Sequence, residues 1–382
     1  EFERWARRQY GDDRAALRAA WGMPELEWET IAIPPLPVRE AADHMLFRVP
    51  RDNRYVIDFY RFFQDVMVDG ILHYFSIVRE ASRHRVLCGT YYGYTLTMLS
   101  GARRAGDSGH YALHRLLQSD LCDFLVSPFD YSERALGEPY QIMSAVGSVL
   151  AHGKLWVMQA DLRTHLVSDP QQREYGASDS LAGTVSQLQR AFANATAKGL
   201  ATQWYDFSYG WIARDARQGQ VIARLQQIAD RWLTWDRSLD PEGIAVIVDE
   251  DSPACYLSHE IQAMYWLVYR QKGIFERVGA PWNVYLLDDV VAGLVPKSRC
   301  YFFLNCFHMT DAERDYINRE LKSDGRTLVW CYAPGYIGAD DLDVARIAEL
   351  TGMEMTEIEQ MRPWRLALAG EHRLTRGLKS AD

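Results

Sequence analysis

HGKLWVMQADLRTHL, residues 152–166, passes from a polar start through a short apolar run and ends in Gln159, Asp161, Arg163 and Thr164. The core of this stretch, KLWVMQAD (154–161), reads as a buried β-strand. Its carboxyl end carries more polar chemistry than a strand end needs. Asp161 and Arg163 can form a local ion pair, with Gln159 a loop amide. In the functional reading, Gln159 stands where a catalytic carboxylate would project, oriented by Asp161 and Arg163.

Similar strands lie to either side. RVLCGTYYGY (85–94) and CDFLVSPFDY (122–131) precede it, and TQWYDFSYGW (202–211) follows. Helical patterns separate them: SGHYALHRLLQS (108–119), with Ser108 as expected N-cap, and DSLAGTVSQLQRAFANATAKG (179–199), capped at Asp179 and stopped at Gly199. Strand alternating with helix predicts a parallel sheet with right-handed crossovers. The carboxyl ends of the four strands gather Tyr91, Tyr92 and Tyr94, then Asp130 and Tyr131, then Gln159 and Asp161, then Asp206 and Trp211. In a (β/α)8 TIM barrel that end is the active-site face. Four such units make half a barrel.

Before them, FERWARRQYG and DDRAALRAAW read as two short amphipathic helices, and residues 31–53 as an irregular, proline-rich excursion. One long helix is expected over 54–83, with Ile57, Tyr60, Phe63, Met67, Ile71, Tyr74 and Val78 on its apolar stripe. The chain opens inside a helical pattern with no cap, so a preceding N-terminal part is expected. After the fourth strand comes a helix over 213–239, then a second α/β unit: GIAVIVDED (243–251), a helix over 258–273, WNVYLLDD (282–289), CYFFLNCF (300–307), a helix over 311–323 and RTLVWCYAPG (326–335). The spacing TDAE at Thr310 is that of a capping box. This unit reads as a doubly wound, flavodoxin-like domain. The expected division is 1–212, half barrel; 213–240, connecting helix; 241–355, flavodoxin-like; and 356–382, the start of a further segment.

Composition narrows the function. With 42 Lys and Arg against 51 Asp and Glu, the net charge of −9 argues against a nucleic-acid partner. No uncharged apolar run approaches the ~18 residues of a membrane span. The six cysteines are scattered, with no CxxC and no histidine pair at zinc spacing, so neither metal nor cofactor is expected. They read as reduced thiols and lean towards the cytoplasm. Aromatic residues make up 12% of the chain, many beside Asp, Arg or His, an arrangement suited to sugar rings as well as to a core.

Other motifs divide between chemistry and packing. SPFDYSERALGEPYQ (127–141) sets Asp130, Tyr131, Glu133 and Arg134 beyond a strand, where they either hold sugar hydroxyls or form a solvated turn. In GTYYGY (89–94) the glycines permit close approach, and tyrosines including Tyr92 line a mouth or pack. Cys306 with His308 sits where class I amidotransferases carry a nucleophile elbow, but Asn305 and Phe307 replace the glycines such an elbow needs, so a buried thiol is expected. The acidic pairs Asp249/Asp251 and Asp288/Asp289 lack calcium-loop spacing and read as loop acids.

The succession from FERWARRQYGDDRAALRAAW through GTYYGY, the SGHYAL helix, DFLVSPFDYSERALGE and GKLWVMQADLRTHL resembles the clan A glycoside hydrolases, in particular relatives of the family 42 β-galactosidases. LNCFHMTDAERDYINRELKSDGRTLVWCYAPGYIG resembles the flavodoxin-like trimerisation domain of the same group. The resemblance implies a retaining hydrolase with two glutamates, on barrel strands four and seven. With TQWYDFSYGW as strand eight, strand seven is KLWVMQAD, and the nucleophile position falls on Gln159 where Glu is expected. The acid/base strand would lie upstream of Glu1. The implied substrate contacts are Tyr92, Asp130, Arg134, Trp156, Asp161, Arg163, Trp204 and Asp206, and the implied ligand is a glycoside, oligosaccharide or polysaccharide. An amide is too weak a nucleophile to form a glycosyl ester. The expectation is therefore a β-galactosidase-like protein impaired at Gln159, or a non-catalytic sugar-binding or scaffolding descendant, assembled as a homotrimer.

Overall fold

The computed structural model describes residues 1–99, 105–206, 210–234, 243–257, 264–358, 373 and 375–377. β1 (Gly89–Tyr91), β2 (Phe124–Pro128), β3 (Leu155–Ala160) and β4 (Ala201–Trp204) form one sheet in the order β1-β2-β3-β4, every pair parallel. β5 (Ile244–Val248), β6 (Trp282–Leu286), β7 (Cys300–Phe303) and β8 (Thr327–Trp330) form a second parallel sheet in the order β6-β5-β7-β8. The first sheet winds in one direction. The second reverses direction at β5, so β6 lies on one side and β7 and β8 on the other. Seven of these strands fall within the segments expected from the sequence, and β4 begins one residue before its own, at Ala201.

α1 (Phe2–Tyr10) and α2 (Arg14–Trp21) pack on α3 (Pro50–Ser82). The Asp13 carboxylate caps α2, accepting from the amides of Ala15 and Ala16, and Gly11 closes α1 in the left-handed region at φ 60°. The apolar stripe of α3 is shorter than its sequence implies. Ile57 and Tyr60 are buried, whereas Met67, Tyr74 and Val78 are exposed. Towards its C-terminus the covered face passes instead through Val68 and Phe75, which are buried. Further helices are α4 (Leu113–Leu117), α5 (Val146–Ala151), α6 (Leu181–Ala197), α7 (Ala216–Trp232), α8 (Arg270–Phe275), α9 (Leu287–Val291), α10 (Asp311–Tyr316) and α11 (Val344–Thr351).

Three cap expectations meet different outcomes. Thr310 and Glu313 form the capping box of α10 as spaced. Ser180, not Asp179, caps α6, accepting from the Gly183 amide, while Asp179 pairs with Arg173. Ser108 caps no helix; α4 begins only after Ala112, and the Ser108 hydroxyl accepts from the His110 amide. The helix expected over 258–273 lies partly outside the described residues, as do residues 235–239 of the helix expected over 213–239.

The two sheets share one hydrophobic core, running from Phe2 and Trp21 through Leu125 and Trp156 to Val246, Leu286 and Ile337. A smaller cluster around Ile247, Phe303, Cys306 and Met309 belongs to the second sheet. α5 docks directly on β6. A Cβ at Gly147 would stand 2.7 Å from the Val284 carbonyl oxygen and 2.5 Å from the Tyr285 ring, so only glycine permits the approach. Beside it, the Leu286 amide donates to Ser148 Oγ at 2.8 Å. Among the described residues, no helix is long and apolar enough to cross a membrane. The six cysteines are free thiols.

Candidate functional site

Strand alternation divides the first sheet into unlike faces. Trp156, Met158 and Ala160 on one face of β3 are completely buried. The other face carries Val157 and Gln159, in register with Val126 and Pro128 of β2 and with Ala201 and Gln203 of β4. Tyr91, at the end of β1, lies on this same face, as does Tyr205 just past β4. Tyr91 is 49% and Tyr205 38% exposed, and Gln203 is exposed. A parallel sheet normally has both faces covered. Here the face holding Gln159 is open towards its carboxyl end.

Gln159 is buried at this rim, and its Oε1 accepts a hydrogen bond from the Tyr91 hydroxyl. Burial pushes the Tyr91 pKa up, with Tyr205 and Asp161 adding to the rise, so the phenol keeps its proton and remains a donor. One residue past β3, Asp161 is wholly buried between two guanidinium groups. Arg134 Nη1 lies 2.8 Å from Oδ1, and Arg163 Nη1 lies 3.0 Å from Oδ2. The Tyr131 hydroxyl donates to Oδ2 at 2.9 Å, and the Arg134 guanidinium stacks 4.1 Å above the Tyr131 ring. Burial and then the Asp161 charge push the Tyr131 pKa up to about 12. Two buried guanidinium groups thus meet on one carboxylate beside this rim.

Asp130 has a different role. Its Oδ2 accepts from Lys272 Nζ at 2.6 Å and from Thr97 Oγ1 at 2.5 Å. Its Oδ1 accepts from Tyr269 at 2.7 Å and from the Ser132 amide at 3.0 Å. Burial alone would raise the Asp130 pKa, but Lys272 and these hydrogen bonds outweigh it and hold the carboxyl well below the usual range. Each acceptor position is taken, so this carboxylate ties the end of β2 to the helical segment containing α8.

The nominated residues therefore separate. Gln159, Asp161, Arg134 and Arg163 converge at one rim. Trp156 is a correction: it has no exposed surface and its Nε1 donates to Met158 Sδ, so it is a core residue. Tyr92 is likewise buried, with its hydroxyl accepting from the Ala112 amide. Trp204 points to the opposite face of β4 and lines a cavity of about 260 Å³ with Phe192 and Trp232. Asp206 accepts from the amides of Ile212 and Ala213 and so shapes its own loop. Tyr205 and Lys272 join the picture only through the fold, whereas Tyr91 and Tyr131 stand at strand ends that the sequence already marks. Counting two residues at a time from Gln159 across the register would have found Tyr91 and Tyr205; no local signal marks Lys272. Larger cavities, about 390 and 540 Å³, lie at the junction of α1, α3 and the second unit, away from the Gln159 rim; Glu250 and Asp251, just past β5, line the smaller of the two.

No family model matches the chain, and no curated protein matches it. The solved structures similar to it include two β-galactosidases. One is the β-galactosidase from the psychrophilic Marinomonas ef1, at 17% identity and a TM-score of 0.44, over 92% of this chain and 55% of that one. The other is the polyextremophilic β-galactosidase of the Antarctic haloarchaeon Halorubrum lacusprofundi, at 16% identity and a TM-score of 0.48, over 83% of this chain and 47% of that one. Both are β-galactosidases. The chain spans about half the length of each.

Proposed function

We propose that this chain carries the second half of a carbohydrate-active (β/α)8 barrel of the retaining β-galactosidase type, joined to a flavodoxin-like unit, and that it binds sugar without hydrolysing it. The observation that supports this best is Gln159, set at the carboxyl end of β3 on the open face and held by the Tyr91 hydroxyl. Around it, the exposed rings of Tyr91, Tyr131 and Tyr205 offer stacking surfaces, and the Arg134–Asp161–Arg163 cluster fixes the strand ends. A retaining hydrolase needs two carboxyl groups ~5–5.5 Å apart, one of them nucleophilic. A neutral amide at Gln159 does not supply the first bond-forming step, attack on the anomeric carbon to give the glycosyl-enzyme ester.

The first sheet supports the half-barrel reading. Four consecutive parallel strands wound in one direction, with exposed residues on both edge strands, are what four further strand–helix units would close. The reversing order of the second sheet supports the flavodoxin-like reading. By the same resemblance, that unit mediates a homotrimer, which light scattering of the barrel-complete protein would test.

The decisive assay uses galactose and an aryl β-galactoside. The chain is expected to release no aglycone. In calorimetric titration of the barrel-complete protein, galactose binding is expected to weaken in Tyr91→Phe and Gln159→Ala. In that barrel-complete protein, Gln159→Glu is expected to restore turnover. Hydrolysis by the chain as it stands, or a folded but inert Gln159→Glu form, would overturn the assignment.

A further inference from the structure

Far from the Gln159 rim, three side chains from distant parts of the sequence meet at the junction of the two units. His114 lies in α4, His152 just past the end of α5, and Asp289 in the first turn of α9. His114 Nδ1 and His152 Nε2 each lie 2.8 Å from the same oxygen, Oδ1 of Asp289. The three donor atoms all lie within 4.8 Å of one another. We propose that His114, His152 and Asp289 form a binding site for a divalent transition metal of the zinc class, which staples the two units together.

The donor set carries the argument. Two imidazole nitrogens and one carboxylate oxygen are borderline ligands that suit zinc and its neighbours rather than calcium or magnesium. Tetrahedral zinc with bonds of about 2.0–2.1 Å holds its ligand atoms about 3.3 Å apart, so each of the two histidine–carboxylate distances needs to open by only about half an ångström. Asp289 is completely buried, and its second oxygen, Oδ2, makes no hydrogen bond of normal geometry, although the Ser148 hydroxyl lies beside the carboxylate. Two histidines donating to one oxygen would leave that second oxygen poorly used, whereas a metal draws charge from the whole group.

The surroundings favour a cation. The carboxylates of Asp288 and Glu250 also act on His114, so three acidic groups face one imidazole. The outer nitrogen of the same ring, Nε2, lies 2.8 Å from the Gln118 side-chain amide. Such an outer partner sets which ring nitrogen faces the metal. The His114 and His152 side chains keep 21% and 10% of their surface exposed, which leaves the site open to entry from that side and to a water as further ligand. Location gives the site its consequence. α5 already docks on β6 through Gly147, and the metal would lock the same junction a few residues on.

The test starts from protein stripped with a chelator and titrated with cobalt(II), then zinc(II), alone. Uptake of about one cobalt per chain, with visible d–d absorption displaced by zinc, is expected, together with a rise of several degrees in thermal midpoint at saturating zinc. Asp289→Asn and His152→Gln are expected to lose both the cobalt spectrum and the zinc-dependent rise, while His73→Gln, an exposed histidine of α3, keeps both. If either ligand variant fails to fold, the titration of the unmodified chain still decides. Absence of stoichiometric cobalt uptake by that chain, or an unchanged spectrum in folded Asp289→Asn, would overturn the site and leave a hydrogen-bonded His–Asp–His junction.

Discussion

Lys272 is the buried charge on which the first sheet's rim most depends. Its side chain is 1% exposed and its ammonium is paired with Asp130 at 2.6 Å. Burial pushes the Lys272 pKa down and Asp130 only partly restores it, so the pair is held together against a substantial desolvation cost. Lys272→Met should leave Asp130 uncompensated and cost about 3–5 kcal/mol in urea unfolding, while Asp130→Asn/Lys272→Met together should recover most of that loss. A loss below ~1 kcal/mol for the single variant would show that water already screens the pair. His308 makes a second prediction. Burial lowers its pKa to about 4, with nearby arginines pushing the same way and Asp251 opposing. The folded state therefore keeps the imidazole neutral, while the unfolded chain takes up a proton near pH 6.5. Its contribution is complete above about pH 6.5 and is lost as the pH falls through about 4, by up to ~3 kcal/mol. His308→Gln should flatten this part of the acid limb in melts recorded between those two pH values.

At the scale of elements, the docking of α5 on β6 decides how the two sheets meet. Gly147 is the point of closest approach, and the obstacle to a larger residue is the backbone carbonyl of Val284, which cannot rotate aside. Gly147→Ala should therefore cost about 1–3 kcal/mol, although alanine favours an exposed helix, because the helix must lift off the strand. Gly219, within α7, has nothing within 4 Å of a built Cβ and is the control; there the same substitution should stabilise by up to ~1 kcal/mol. Equal effects at the two positions in chemical denaturation would remove the close approach from the account.

At the scale of the molecule, the first sheet ends in two uncovered strands. β1 and β4 are its edges, and on the face that holds Gln159 their residues Tyr91 and Gln203, with Tyr205 just beyond, are exposed. Edges of this kind template pairing with another chain. The net charge of −9 slows association but does not block a short backbone ladder. Sedimentation velocity should show concentration-dependent self-association, reduced in Gln203→Lys, which places a charge on the exposed part of β4. A monomer at all concentrations, with cooperative melting, would mean that the edges are protected.

Strands such as β3, β5 and β6 were legible because each lies in a short, largely apolar run bounded by breaks, and local patterning is enough to mark such a run. The same alternation placed Gln159 at a strand end with Asp161 and Arg163 beside it. Helix caps were legible only where the motif is reciprocal: the Thr310–Glu313 box formed, while Ser108 and Asp179, lone cap-formers, lost to Ala112 and Ser180. Trp156 and Tyr92 looked like ligand residues because sequence states which residues are aromatic and not which face of a strand is covered. That choice belongs to the helices packed on the sheet. Lys272 reaches Asp130 across 142 residues, and Asp289 meets His114 and His152 across 175 and 137. Local spacing, which the sequence determines, carries no information on such encounters; only the packing of one unit against the other, through helices such as α5 on β6, brings those charges and ligand atoms within bonding reach.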